Sequence, residues 1–180
     1  HTEAAVQSST ALIELNIEFF GKAAHAAGDP WNGRSAVDAL ELFTHGVNML
    51  REHVRPSVRM HYVIQKGGDV PNVVPEYSKT WLWIRDSKRV VMEEVYQRIQ
   101  EVAKGAATMA GVESKVTLLS GTYEILVNRT GGEYMHRNLE LLGHINFTED
   151  EQKKKKKIQQ ASNAEQIGLD GNIGPFRETS

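Results

Sequence analysis

From residue 12 to residue 20 apolar and polar positions alternate, with Ile13, Leu15, Ile17 and Phe19 on one face and Glu14, Asn16 and Glu18 on the other. A period of two predicts a strand with one buried face. The period then changes. Over residues 35–54, Val37, Leu40, Phe43, Val47, Leu50 and Val54 recur at spacings of three and four, which predicts an amphipathic helix, capped by Ser35 with Asp38 three residues on and ended by Pro56. Val58, Met60, Tyr62 and Ile64 next alternate with Arg59, His61 and Gln65, a second strand that Gly67, Gly68 and Pro71 interrupt. Residues 78–85 separate Thr80, Leu82 and Ile84 from Trp81, Trp83 and Arg85, a third strand. Asp86 or Ser87 is the expected cap of a second helix marked by Val91, Val95, Ile99, Val102, Ala106 and Met109 and closed at Gly111, where a left-handed residue suits glycine. A fourth strand is expected over residues 114–127, bent at Gly121.

The order β-α-β-β-α-β predicts an α+β domain of the ferredoxin-like kind: a four-stranded antiparallel sheet with two helices on one face, placed there by right-handed crossovers. It accounts for residues 11–128. Residues 1–10 read as a junction, and residues 129–180 as a C-terminal extension with helices over 132–142 and 148–161 and a Gly-, Asn- and Ser-containing tail. In that tail region Leu141, Phe147 and Phe176 are expected to be exposed.

Composition narrows the function classes. The 180 residues carry a net charge of −2, so no basic excess points to nucleic acid. The run of five lysines from Lys153 to Lys157 follows Glu149, Asp150 and Glu151, as a solvated helix with dipole-compensating termini would have it. The absence of cysteine excludes a disulfide scaffold, a thiolate zinc site and a thiol nucleophile, and is compatible with a cytoplasmic location. No apolar run is long enough to span a bilayer, and the chain opens His-Thr-Glu with no signal-like succession after it.

Seven histidines occur without an H-x-D, H-x-H or H-E-x-x-H arrangement, so no self-contained metal site is expected and no cofactor is assigned to this chain. Phosphate-binding glycine loops and a G-x-S-x-G elbow are missing as well. Two clusters stand out. The first runs from Gly21 to Ala36 and sets His25 among alanines, followed by Gly28, Pro30 and Gly33, at the hand-over from first strand to first helix. The second is Gly67 to Pro75, holding Asn72, with Arg85 thirteen residues later at the end of the third strand. Each has a plain structural alternative: a histidine bonded to its own loop, and a turn-forming asparagine with a surface arginine.

Together the clusters resemble the dinuclear-zinc aminoacylase and carboxypeptidase family of metallopeptidases, and within it the aminobenzoyl-glutamate branch. The family's smaller domain carries G-[KR]-x-[AS]-H-A-x-x-P-x-x-G-x-[NS]-A, which Gly21 to Ala36 resemble with one more residue before Pro30, and N-x-[IV]-P, here Asn72 to Pro75. The resemblance implies a lid and dimerisation domain whose histidine, here His25, donates to the scissile carbonyl in the active site of the other protomer. It implies that Asn72 and Arg85 hold the carboxylate of a small-molecule substrate. An arginine fork suits a carboxylate, and an asparagine amide adds a neutral donor. It further implies a homodimer, and two zinc ions in a parent catalytic domain whose H-x-D, Glu-Glu and final histidine ligands are not in these 180 residues. On this reading the chain is a non-catalytic piece of a zinc-dependent amidohydrolase, inactive by itself, with no nucleic acid or membrane partner. The strand of Arg59, His61 and Val63, with the first helix, is the expected dimer surface. A stand-alone ferredoxin-like binding or regulatory module is the alternative from another class.

Overall fold

The computed structural model describes residues 3–178. Residues 1, 2, 179 and 180, at the outer ends of the predicted junction and tail, lie outside the described residues. The elements are β1 (Ala5–Val6), β2 (Ala11–Phe20), α1 (Ala36–Leu50), β3 (Arg59–Gly67), β4 (Tyr77–Asp86), α2 (Arg89–Ala110), β5 (Glu113–Thr122), α3 (Arg129–Leu142), α4 (Glu149–Ala161) and β6 (Arg177–Glu178). They divide into two compact units: Ser9–Ile125, and the remaining described residues.

In the first unit four strands form one antiparallel sheet in the order β3-β4-β2-β5, so the α+β class expected from the hydrophobic period is found. Each helix connects strands that are not neighbours, which leaves β3 and β5 at the edges. Alternation decides the faces. Ile13, Leu15, Ile17 and Phe19 of β2, with Leu82 and Ile84 of β4, are fully buried against Phe43 and Val47 of α1 and Met92 and Ile99 of α2. Rings of Phe19 and Phe43 meet at 5.9 Å. Burying a side chain of this size contributes about 1.5–3 kcal/mol, so this layer dominates the stability of the unit.

The ends of the elements differ in places from the sequence expectation. Ser35 Oγ accepts the backbone N–H of Asp38 at 3.1 Å, the expected cap of α1. At α2 neither Asp86 nor Ser87 is the cap. Lys88 occupies that position, and Asp86 Oδ1 accepts the Lys88 N–H at 2.9 Å one step earlier. Gly111 ends α2 at φ 67°, in the left-handed region where glycine carries no Cβ penalty. The fourth strand stops at Thr122 rather than 127, because Thr122 pairs with Leu12, next to the first residue of β2, and further residues run out of partner. Its irregularity lies at Leu119, the extra residue between Leu118 opposite Leu15 and Ser120 opposite Glu14, and not at Gly121.

The second unit contains α3, α4 and the short parallel pair β1 and β6. Asn128 caps α3, accepting the Gly131 N–H at 2.8 Å, so that helix begins three residues before the predicted start despite Gly131 and Gly132. A full capping box, Thr148 with Glu151, opens α4. The Thr148 bonds hold the Glu151 carboxyl below its ordinary value. Of the three apolar residues expected to be exposed, Leu141 is 84 % exposed, while Phe147 and Phe176 are half-buried. Among the described residues no helix is long and apolar enough to cross a membrane.

Candidate functional site

Where β2 ends, the backbone of the first cluster is laced to the second. Gly21 N–H donates to Glu76 O at 2.8 Å, and Val74 N–H to Ala24 O at 2.9 Å. Ala26 N–H donates to Asn72 O at 3.0 Å, and His25 and Val73 form an isolated antiparallel bridge. Further along, Lys22 and Arg34 bridge each other, and Ala36 N–H donates to Pro75 O at 2.8 Å. Two glycines make this possible. A methyl group at Gly21 would lie 2.1 Å from Arg34 O, and one at Gly33 would lie 2.9 Å from Val74 Cγ1. Two stretches far apart in the sequence thus form one surface at one end of the sheet.

His25 stands exposed on it. Its Nδ1 accepts the N–H of Gly28 at 2.9 Å and of Ala27 at 3.2 Å. With Nδ1 used as an acceptor, the neutral imidazole carries its proton on Nε2, on the side of the ring away from the loop. The plain alternative and the functional one are therefore compatible: the ring does bond its own loop, through one nitrogen, and that bond leaves the other as a directed donor. Asn72 is also exposed, and its backbone carbonyl fixes it beside Ala26.

Arg85 is not brought to this place. It lies eight residues along β4 from Tyr77, a span of roughly 26 Å of extended chain. There it pairs with Arg59 on one side and Leu12 on the other. Asn72 and Arg85 of one chain therefore do not form a joint clamp, because most of the extended strand β4 lies between them. The Arg85 guanidinium lies 4.8 Å from the centre of the Trp83 ring. It helps line a shallow groove of about 370 Å³ with His61, Tyr62, Val63, Trp81 and Trp83, on the sheet face away from the helices.

Two diagonal cross-strand bonds stiffen that face. Trp81 Nε1 donates to Glu14 Oε1 and the Tyr77 hydroxyl to Glu18 Oε1, both at 2.7 Å. Burial first, and then the Glu18 carboxylate, push the Tyr77 phenol up to about 12. Among the described residues no three His, Asp or Glu side chains converge as a metal site would require.

Residues missed by the motif reading are Asp29 and Asn32. Asp29 Oδ1 accepts the His25 N–H at 3.1 Å and Oδ2 accepts the Asn32 side-chain amide at 3.3 Å. The signal was present in the sequence as an aspartate preceding proline, a common opening of a tight turn.

A family model described as the peptidase dimerisation domain matches residues 8–108. The chain is similar to one of the p-aminobenzoyl-glutamate hydrolase subunits of Escherichia coli (strain K12), 35 % identical over 150 residues that cover 83 % of this chain and 31 % of that protein. It is also similar to Xaa-Arg dipeptidase of Mus musculus, 28 % identical over 82 % of this chain and 34 % of that protein. Among solved structures, the aminobenzoyl-glutamate utilization protein from Klebsiella pneumoniae matches with a TM-score of 0.64 at 21 % identity, covering 74 % of this chain and 34 % of that one. The chain spans about a third of the length of the curated relatives it matches.

Proposed function

The chain belongs to the peptidase dimerisation domain family, and on that premise we propose that it is the non-catalytic lid and dimerisation module of a longer cytoplasmic hydrolase. The reaction is hydrolysis of the amide bond of an N-acyl amino acid of the aminobenzoyl-glutamate kind, in keeping with the names of the relatives. One observation carries the reading: the two backbone N–H groups on His25 Nδ1 turn the imidazole into a preset Nε2–H donor. When water attacks an amide carbon, negative charge gathers on the carbonyl oxygen, and a donor already in position stabilises it without reorganisation. His25 is that donor, and the Asn72 amide holds the substrate's carboxylate.

Among the described residues no three donors converge that would fit the two zinc ions the family resemblance implies. On this reading they are held by residues outside these 180, and the contribution of this module is to position substrate and stabilise charge.

Association with a second copy completes the reading. β3 is an edge strand with Val63 59 % and Ile64 49 % exposed, and α1 packs on the sheet beside β4, its neighbour. An open edge pairs readily with another strand. Antiparallel self-pairing of β3 centred on Val63 sets Arg59 of one copy opposite Gly67 of the other. Arg85, adjacent to Arg59, then lies on the side of the other copy's Gly67–Asn72 segment, so a homodimer supplies His25 and Asn72 from one copy and Arg85 from the other.

The test is His25→Ala in the full-length enzyme, assayed on an aminobenzoyl-glutamate amide. Turnover should fall by about 10²- to 10³-fold, the scale for one oxyanion donor. An unchanged rate would make His25 structural only.

A further inference from the structure

We propose that Asp29 is the positioning residue of His25, the group that closes the loop and so determines which ring nitrogen carries the proton. The inference rests on the reading of His25 as a donor to substrate, but its first test does not.

The loop is closed at both ends by Asp29. Its Oδ1 accepts the His25 N–H at 3.1 Å, while its own N–H donates to His25 O at 3.1 Å. These two bonds draw residues 25 and 29 together and force Ala27 and Gly28 to turn inward, where their N–H groups meet Nδ1. The second carboxylate oxygen reaches the other way. Oδ2 accepts the Asn32 side-chain amide, and Asn32 N–H donates to Asp29 O at 3.0 Å. Asp29 is thereby anchored to the 3-10 turn Pro30–Asn32 that leads into Gly33. Pro30 adds rigidity, since a residue before proline is kept out of the helical region, and Asp29 sits at φ −150° and ψ 50°.

The chemistry of a carboxylate suits this place. It offers two acceptor oxygens and no donor, and here each oxygen takes one N–H. Both N–H groups on Nδ1 are backbone donors, which cannot become acceptors, so as long as the loop holds they exclude a proton from Nδ1. A histidine without that loop would sample both tautomers, and only one of them presents Nε2–H outward.

The experiment is a long-range proton–nitrogen correlation spectrum of the ¹⁵N-labelled 180-residue chain, taken above the ordinary histidine pKa, in which the protonated and bare ring nitrogens separate. His25 should show one tautomer, protonated on Nε2. Asp29→Ala should lose that single tautomer. Asp29→Asn, which keeps an acceptor for the His25 N–H, should retain it. An unchanged spectrum in Asp29→Ala, or a native His25 protonated on Nδ1, would overturn the proposal. Backbone amide shifts of β2 and β4 report whether each variant is folded. Should Asp29→Ala fail to fold, Asn32→Ala removes the second anchor alone and should broaden the His25 resonances, whereas sharp native resonances would count against the proposal. In the full-length enzyme Asp29→Ala should lower kcat with little change in KM. A tautomer change with undiminished turnover would uphold Asp29 as the positioning residue while refuting the catalytic role of His25.

Discussion

Gly33 and Val74 stand so close that the missing side chain of one makes room for the other: a methyl group at Gly33 would lie 2.9 Å from Val74 Cγ1 and 3.0 Å from its Cβ. This contact joins the two sequence clusters, since Val74 follows Asn72 by two residues and donates its N–H to Ala24 beside His25. Gly33→Ala should destabilise the chain by about 1–3 kcal/mol, the usual cost of overpacking. Denaturant unfolding measures the loss, and it should be accompanied by altered amide shifts at Ala26 and Val74. Native stability with unshifted amides would mean that the two clusters move apart freely.

Thr80 presents the opposite case, a polar atom with nowhere to bond. It is fully buried on the helix-facing side of β4, and its hydroxyl finds no hydrogen-bond partner among the described residues. Thr80→Val keeps the shape and removes the unpaired group. We expect stabilisation of about 1 kcal/mol, read as a higher denaturation midpoint with unchanged slope. A destabilised Thr80→Val would mean that the hydroxyl is satisfied in solution.

Tyr77 should titrate late. Its phenol is raised to about 12, with burial the largest single cause and the hydrogen bond and charge of Glu18 adding to it. The protonated form is therefore favoured by folding. This stabilisation is complete below the ordinary phenol value near 10, and disappears as pH rises through about 12. The ultraviolet phenolate signal, taken as native minus Tyr77→Phe, should show this midpoint. Glu18→Gln should lower it only part of the way, because burial remains. A midpoint at the ordinary value would show Tyr77 to be solvated.

Val63 tests the association. In the pairing described above it sits at the two-fold axis, so Val63→Lys would place two like charges side by side across the strands. Sedimentation at micromolar concentration should show a dimer for the native chain and a monomer for the variant. A native chain that stays monomeric, or a variant that stays dimeric, would exclude β3 as the contact.

Much of the architecture was legible because its physical cause is local. The two-residue period of β2 and β4 and the three-to-four spacing of α1 and α2 each bury one face, and any packing of the chain must respect them. The end of β5 was not legible. Tyr123, Ile125 and Val127 continue the alternation in the sequence, yet the strand ends opposite Leu12, where only Ala11 of β2 remains. The cap of α2 failed for a similar reason: Asp86 was drawn into the last position of β4, opposite Ala11, before it could serve the helix.

Periodicity, a property of the chain alone, was enough to specify the class of the fold, while the motif resemblance singled out the two clusters and pointed to His25, Asn72 and Arg85 within and beside them. Which of them stand together was settled only on folding. The bridge between His25 and Val73 and the fit of Gly33 to Val74 unite the two clusters, while the extended length of β4 carries Arg85 away from both. Distance along a sequence does not reveal this. A turn brings neighbours back within a few ångströms, whereas a strand moves them apart by about 3.3 Å at every residue.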